Sequence, residues 1–165
     1  SSGVSSEAIV RKFLDAFTEK ALPLFSPERR EVSVMRETVI LASIIEKEVV
    51  SFRDRELVAG ILKKRLKLRI PLQIDATVIY AKCGSFKNCP TLTKGDFGLD
   101  SPFNTYVYAG LPPAPIGNPG SEAIRAILNT AASSYLYYLS HPKTGETIFA
   151  STFEEHDTNR ARYLR

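Results

Sequence analysis

The sequence predicts a single α+β domain, because helical periodicity dominates its first half and strand-forming segments lie mainly in its second half. Its 165 residues are enough for one domain with a sizeable core. With 44% hydrophobic and 24% charged residues, the composition is that of an ordinary globular protein. No run of about 18 apolar residues occurs, so we expect no membrane span.

Three helices are predicted in the first half. In the first, apolar residues recur at helical spacing until Pro23 ends the pattern. These apolar residues are Ile9, Val10, Phe13, Leu14 and Phe17. A second helix is predicted over residues 34–50, with Ser33 as its cap. A third follows a capping box formed by Ser51 and Asp54.

Strands are predicted in the second half, where β-branched and aromatic residues accumulate. The segments ATVIYA and NTYVYAG, at 76–81 and 104–110, are predicted strands. The segments SYLYYLSH and ETIFAST flank PKTG and predict a hairpin. We therefore expect a small, mainly antiparallel sheet packed against the helical half.

Short helices and one rigid loop complete the prediction. Thr93 with Asp96 caps a short helix, Ser121 caps another, and EEHDTNRARYLR forms a terminal one. GLPPAPIGNPG holds four prolines and three glycines in eleven residues, which predicts an extended loop.

The net charge and the two cysteines limit which partners and which metal or cofactor sites are expected. The net charge is +4, and the basic run KKRLKLR is predicted to be a solvated helix face, with binding of an anionic polymer as the alternative. No nucleic-acid motif accompanies it, so no nucleic-acid partner is expected. Cys83 and Cys89 bound a small loop that a disulfide could close, with free thiols as the alternative. No histidine lies within twenty residues of them, which disfavours zinc, and no cofactor is expected.

The segment LASIIEKEVV carries two glutamates through one of the most apolar parts of the chain. Apolar residues fall on nearly every side of this helix, which predicts that it is buried. Glu46 and Glu48 lie about 200° apart around the helix axis, so they cannot serve one cleft as a close pair. Burial raises the pKa of a carboxyl, and a carboxyl that stays protonated near neutral pH can act as a general acid.

Glu46 lies beside the polar sector of this helix and is our candidate for an acid at the lip of a cleft. The alternative is that both glutamates form structural salt bridges with Lys47, Arg53 or Arg55.

Several segments together resemble the catalytic domain of the endolytic murein transglycosylases, the YceG-like family. They are LASIIEKEV, RDRELVAGILKKRL, PLQIDATVIY, FNTYVYAGLPPAPIGNPG, YLYYLS, TIFAST and EEHD. They occur in the family's order over residues 31–165, which would be the catalytic domain. Residues 1–30 would be a linker and an N-terminal helix, and the family's membrane anchor and LysM-like module are expected upstream. CGSFKNC has no counterpart in the family pattern.

The resemblance implies a lysozyme-like active-site groove between the helical half and the sheet, and a set of site residues. The first glutamate of EKE, Glu46, would be catalytic, and the others would bind substrate: Glu48, Gln73, Asp75, Tyr80, Asn104, Thr105 and Tyr106. The structural alternatives stay open: the tyrosines as core aromatics, Asp75 as a turn cap, and Asn104 as a residue that shapes its loop. His156 is read as a structural hydrogen-bonding residue in preference to a catalytic one, and His141 as solvent-facing.

The resemblance also implies an activity. One glutamate would protonate the bond between N-acetylmuramic acid and N-acetylglucosamine within a glycan strand. It would then take the proton of the muramoyl C6 hydroxyl, leaving a 1,6-anhydro end and so ending strand elongation. The alternatives are a hydrolytic muramidase that uses Asp75 or Glu48, and a non-catalytic glycan-binding scaffold. The implied location is the outer face of the bacterial inner membrane, and cell-wall synthases (penicillin-binding proteins) are the implied partners.

Overall fold

The computed structural model describes residues 5–164 as an α+β domain, the predicted class. Over these residues it has six α-helices, one two-stranded antiparallel sheet and three short 3-10 helices. The α-helices are α1 (Ser6–Lys20), α2 (Val32–Glu48), α3 (Phe52–Lys67), α4 (Asp75–Cys83), α5 (Ser121–Leu128) and α6 (Phe153–Tyr163). The strands are β1 (Tyr137–Ser140) and β2 (Thr147–Ala150), and the 3-10 helices are Leu22–Leu24, Pro27–Arg29 and Lys94–Gly98.

The core lies where α2, α3 and α5 pack together. Helix α2 is apolar around most of its circumference, and Ile40, Leu41, Ile44 and Ile45 are fully buried. Phe25, which follows the first 3-10 helix, also enters this core. Burying large aliphatic side chains supplies most of the stabilisation of such a domain, so α2 is its central element.

Helix α1 forms where predicted, but little of its apolar side packs against this core. Ile9, Val10, Phe13 and Leu14 are all exposed, whereas Phe17 is half-buried and packs against the core. Fully buried core residues begin at Ala21. Among residues 5–164 no helix combines the length and apolar character needed to cross a membrane.

The predicted hairpin is confirmed. Strands β1 and β2 pair antiparallel, with Tyr138 opposite Phe149 and Leu139 opposite Ile148. In the connecting turn, Gly145 has a φ of 71°, a left-handed conformation that glycine adopts without steric cost. The Nδ1 atom of His141 accepts hydrogen bonds from two backbone N–H groups of this turn, so His141 stabilises the turn.

The two other predicted strands are wrong. ATVIYA lies within α4, which starts at Asp75 and ends at Gly84 in the left-handed conformation that commonly terminates helices. Burial of Ala76, Thr77 and Val78 outweighs the strand preference of the β-branched residues. NTYVYAG is a series of turns, because the Asn104 side chain and carbonyl take the hydrogen bonds that a strand partner would need.

The basic run is only partly a solvated face. Lys63 donates to the carbonyl oxygen of Ile127 over 2.6 Å, and Lys64 donates to that of Tyr135 over 3.0 Å. Arg65 is buried, with 6% of its surface exposed. These cations satisfy the backbone carbonyls at the end of α5 and in the segment after it, which attaches the C-terminal part of the chain to α3.

Candidate active site

A cleft of about 780 Å³ lies between the C-terminal end of α2, residues 70–76, strand β1 and helix α6. This volume is typical of ligand sites. Two other depressions, on α1 and α6, measure about 390 and 510 Å³. The cleft brings together side chains from both halves of the chain, and its charged members are Lys47, Glu48, Arg65, Asp75 and Arg160.

Glu48 is the carboxyl that α2 delivers to this cleft. It is the last residue of the helix, and its Oε2 accepts a hydrogen bond from the Tyr138 hydroxyl over 3.1 Å. Tyr138 reaches it from β1, so the hairpin covers the end of α2. Two helix ends act on its charge in opposite directions. The C-terminus of α2 disfavours a negative charge on Glu48, whereas the N-terminus of α4, where the Ala76 N–H lies, favours one.

The pKa of Glu48 is raised to about 7. Burial of the carboxyl is the main cause, and the nearby charge of Asp75 acts in the same direction. The Tyr138 hydroxyl and the backbone N–H of Ala76 favour the ionised form, but burial outweighs them. Glu48 can therefore hold a proton near neutral pH and can also release it.

A second carboxylate lies in the cleft at the start of α4. Asp75 Oδ1 accepts a hydrogen bond from the Tyr106 hydroxyl over 2.6 Å. This contact, together with burial, raises the pKa of Tyr106, so its phenol stays protonated and remains a donor. Asp75 and Tyr106 thus form a fixed polar pair beside Glu48.

Gln73 lines the cleft just before α4. Its Oε1 accepts a hydrogen bond from the Arg65 guanidinium over 3.0 Å. Its backbone has a φ of 54°, in the left-handed region that non-glycine residues rarely adopt.

One wall of the cleft is a stack of planar side chains. The Arg65 guanidinium carbon lies 5.3 Å from the ring centroid of Tyr137, and the His156 ring stacks on the same tyrosine at 5.2 Å. Burial, with Arg160 and Arg65 nearby, lowers the pKa of His156, which favours its neutral form. Within residues 5–164 its buried Nδ1 has no hydrogen-bond partner. The contacts of His156 within the described residues are therefore stacking contacts, in place of the structural hydrogen bond expected.

Glu46 does not line the cleft. Its Oε2 accepts a hydrogen bond from the backbone N–H of Gly120 over 3.1 Å, and its Oε1 lies 3.6 Å from an Arg55 nitrogen. Arg55 also contacts Glu122 on α5 and the carbonyl oxygen of Val49. These contacts attach α2 to the start of α5, as the salt-bridge alternative describes. The predicted opposition of Glu46 and Glu48 is confirmed, and it is Glu48 that faces the cleft.

Three further candidates lie outside the cleft. Tyr80 packs against Phe103, with ring centroids 4.9 Å apart. Asn104 is fully buried, and its amide donates to the carbonyl oxygens of Phe97 and Leu99. Thr105 is buried and its hydroxyl bonds to that of Thr77 over 2.9 Å. These contacts hold the segments next to the cleft together, and the contact of these three residues with substrate stays a prediction.

The cysteine loop contributes to the opposite wall. Cys83 and Cys89 are joined by a disulfide, and the loop between them carries Phe86. Phe86 lines the cleft, with the Lys47 ammonium 4.7 Å from its ring centroid.

Sequence reasoning missed Arg65, Tyr137 and Tyr138 as cleft residues. The predicted hairpin contains both tyrosines, but only the packing of the hairpin over α2 brings them to the cleft. The sequence pattern of the basic run does not distinguish Arg65, which is buried, from its solvated neighbours.

The arrangement is suited to proton transfer on an uncharged, polar substrate. It contains one carboxyl with a pKa near neutrality, a fixed amide, a protonated phenol and aromatic walls. Among residues 5–164 no group of three or more acidic, histidine or cysteine side chains could hold a metal ion.

Comparison with known proteins identifies the family. A family model described as the YceG-like family matches residues 1–162. The chain is 31% identical over 160 residues to the endolytic murein transglycosylase of Streptococcus pneumoniae strain D39, covering 96% of this chain and 29% of that protein. It is 37% identical over 137 residues to the endolytic murein transglycosylase of Bacillus subtilis strain 168, covering 83% of this chain and 37% of that protein.

A solved structure shows the same fold. The crystal structure of a yceG-like protein from Listeria monocytogenes superposes with a TM-score of 0.70 at 36% identity, covering 92% of this chain and 45% of that one. The chain thus spans about a third of the length of the curated relatives it matches. Because the family match extends over nearly the whole chain and the fold agrees with that of a solved relative, the chain belongs to the YceG-like family.

Proposed function

We propose that this chain is the catalytic domain of an endolytic lytic transglycosylase that cleaves peptidoglycan glycan strands, with Glu48 as its acid and base. The observation that carries the proposal is a half-buried Glu48 carboxyl, with a pKa raised to about 7, in a cleft lined by polar and aromatic side chains. The names of the relatives support the same reaction class.

Glu48 would work in two steps. Protonated Glu48 donates to the glycosidic oxygen, the bond from the muramoyl C1 to that oxygen breaks, and the leaving sugar departs as an alcohol. The substrate's own acetamido group stabilises the oxocarbenium-like C1. The Glu48 carboxylate then takes the proton of the C6 hydroxyl, whose oxygen bonds to C1 and closes a 1,6-anhydro ring. Glu48 is protonated again and no water is consumed.

The cleft environment suits this cycle. A group that must act as acid and then as base works best with a pKa near the working pH, and burial provides that for Glu48. The Tyr138 hydroxyl stabilises the carboxylate between the two steps. Glu46, which the resemblance to the family had suggested as the acid, lies outside the cleft against Arg55, so we assign the role to Glu48.

The test is digestion of purified sacculi with the wild-type chain, Glu48→Gln and Glu46→Gln. We expect 1,6-anhydromuramoyl ends from the wild type, a loss of at least about a thousandfold for Glu48→Gln, and retention within a few fold for Glu46→Gln. Mass spectrometry identifies the ends, and melting temperatures check that each variant folds. Activity that survives Glu48→Gln and disappears in folded Glu46→Gln would reverse the assignment.

A hydrolytic muramidase is the second candidate, because Asp75 provides another carboxylate in the same cleft. In that reaction water would attack C1, and the product would carry a reducing end in place of an anhydro ring. The same digests separate the two reactions. Binding to sacculi without cleavage, unchanged in both Glu48→Gln and Glu46→Gln, would instead favour a non-catalytic glycan-binding scaffold.

We also propose the setting of the whole protein from the family relationship. The domain would act on the extracytoplasmic side of the inner membrane, attached through an anchor outside this chain, and would end strand elongation beside cell-wall synthases. Co-purification of the full-length protein with those synthases, after mild crosslinking, tests the partnership.

A further inference from the structure

Arg65 holds the side-chain amide of Gln73 in one orientation. The Arg65 Nη2 atom donates to Gln73 Oε1 over 3.0 Å. A guanidinium has donors only, so the amide atom that faces it must be the oxygen. The Nε2 group therefore points away from Arg65, and within residues 5–164 it has no hydrogen-bond partner. Gln73 is exposed to the cleft, so it presents N–H donors there while its oxygen is occupied.

The anchor of this orientation is rigid. Arg65 is 6% exposed and donates to the carbonyl oxygens of Pro71 and Leu136 as well as to Gln73. The ring of Tyr137 covers its guanidinium at 5.3 Å. Because two segments of the chain, residues 71–73 and 136–137, fix Arg65, the amide that it holds has little freedom to turn.

The backbone at residue 73 carries strain that the surrounding structure maintains. Its φ of 54° is unfavourable for a residue with a Cβ atom, and glycine would adopt it freely. The Gln73 N–H donates to the carbonyl oxygen of Thr105 over 3.1 Å, and the Ile74 N–H donates to the Thr105 hydroxyl over 3.0 Å. Strained residues of this kind cluster at ligand sites. That a glutamine, and not a glycine, occupies this strained position points to a function of its amide side chain.

Cations outnumber carboxylates among the side chains that line the cleft. Lys47, Arg65 and Arg160 are opposed by Glu48 and Asp75, and the Asp75 carboxylate already accepts from the Tyr106 hydroxyl. A sugar with a free ammonium group would meet these cations, and its donors would face the donors of Gln73. An acetamido group is neutral and offers a carbonyl oxygen, which is the acceptor these donors lack.

From this we propose that Gln73 donates from Nε2 to the acetamido carbonyl oxygen of a sugar bound in the cleft, and so makes the site specific for N-acetylated glycans. The inference rests on the proposed function, since it assigns a specificity-determining contact to that reaction. Arg65 is the positioning residue: because it occupies the amide oxygen of Gln73, only the N–H donors of Gln73 are left for the sugar.

Binding of two matched probes tests the proposal. The probes are the β-1,4-linked tetramer of N-acetylglucosamine and its fully N-deacetylated counterpart, measured by calorimetry at pH 5.5 in a Glu48→Gln background to prevent turnover. We expect the acetylated tetramer to bind at least about tenfold more tightly than the deacetylated one. This is the typical effect of gaining one hydrogen bond and of avoiding the contact between ammonium donors and the donors of Gln73.

Gln73→Glu and Gln73→Gly decide together. The carboxylate of Gln73→Glu still accepts from Arg65 but cannot donate, so we expect the preference to fall to about equal affinity. Its charge also attracts the ammonium groups of the deacetylated probe, so the uncharged Gln73→Gly must lose the preference as well. Asn159→Asp on α6 adds the same charge outside the cleft, where Asn159 contributes to a different depression, and is expected to keep the preference. Gln73→Gly removes the side chain and relieves the backbone; it should melt no lower than wild type and also lose the preference, which guards against a folding defect.

The outcomes distinguish a failure of the Gln73 contact from a failure of the proposed cleavage reaction. An unchanged preference in Gln73→Glu, or no preference in the parent chain, overturns the role of Gln73. Cleavage of sacculi together with an unchanged preference would leave the reaction standing without this contact. A preference that Gln73→Glu abolishes, in a chain that cleaves no glycan, would support the contact and contradict the reaction.

Discussion

Two glutamates two residues apart show how strongly local surroundings decide the chemistry of a side chain. Glu46 accepts from a backbone N–H and lies near Arg55, whereas Glu48 lies in the cleft beneath Tyr138. The helical advance of about 100° per residue places them on opposite sides of α2. Position on the helix therefore separates a residue that attaches α2 to α5 from one that can carry a proton.

The first prediction concerns stability and pH. The pKa of Glu48 is raised to about 7 in the folded chain, so folding is favoured while Glu48 is protonated. That contribution is complete below the unfolded value of about 4.5 and is lost as the pH rises through about 7. Glu48→Gln removes this dependence. We expect its free energy of unfolding, relative to wild type, to be higher at pH 8 than at pH 5 by about 2–3 kcal/mol, measured by urea denaturation. An equal difference at both pH values would contradict the raised pKa.

At the level of elements, close packing fixes the path by which the segment after α5 crosses α3. The carbonyl oxygen of Ala131, in the segment that leaves α5, would lie 2.5 Å from a Cβ atom added to Gly60. The Ala131 N–H donates to the carbonyl oxygen of Glu56 over 3.2 Å, so this segment is bonded to α3. Glycine in mid-helix is unfavourable by about 1 kcal/mol relative to alanine, and here close approach of the backbone explains it.

The second prediction follows from this contact. Gly60→Ala should lower the free energy of unfolding by about 1–2 kcal/mol, because the clash with a backbone atom outweighs the gain in helix propensity. Chemical denaturation measures it. Gly98→Ala is the matched control, since an added Cβ there meets nothing within 4 Å. A stabilised Gly60→Ala variant would show that the segment can move away at little cost.

At the level of the whole molecule, the cleft exists only because distant parts of the chain meet. Tyr138 and Glu48 are 90 residues apart in sequence, and Arg65 and Leu136 are 71 apart. The hairpin both covers the end of α2 and supplies the hydroxyl that acts on its carboxyl. A change in the hairpin should therefore alter the chemistry of a residue on α2.

The third prediction tests that connection. Tyr138→Phe removes a hydroxyl that favours the ionised form of Glu48, so the pKa of Glu48 should rise further. In the proposed reaction cleavage begins with protonated Glu48, so it should then persist to higher pH than in the wild type. A pH profile of kcat/KM on glycan strands measures this shift. A decline at lower pH than in the wild type would show that Tyr138 does not stabilise the carboxylate.

The sequence alone determined the fold class, the helical half, the hairpin and the opposition of the two glutamates. Periodicity and turn residues encode these features locally, and the motifs of LASIIEKEV and PLQIDATVIY carried the family resemblance. Packing between distant segments was needed to show that ATVIYA is helical, that Tyr80, Asn104 and Thr105 lie outside the cleft, and that Glu48 faces it. The reason is physical: the pKa of a carboxyl depends on what buries it and on what donates to it, and for Glu48 one donor, the Tyr138 hydroxyl, comes from β1, 90 residues along the chain.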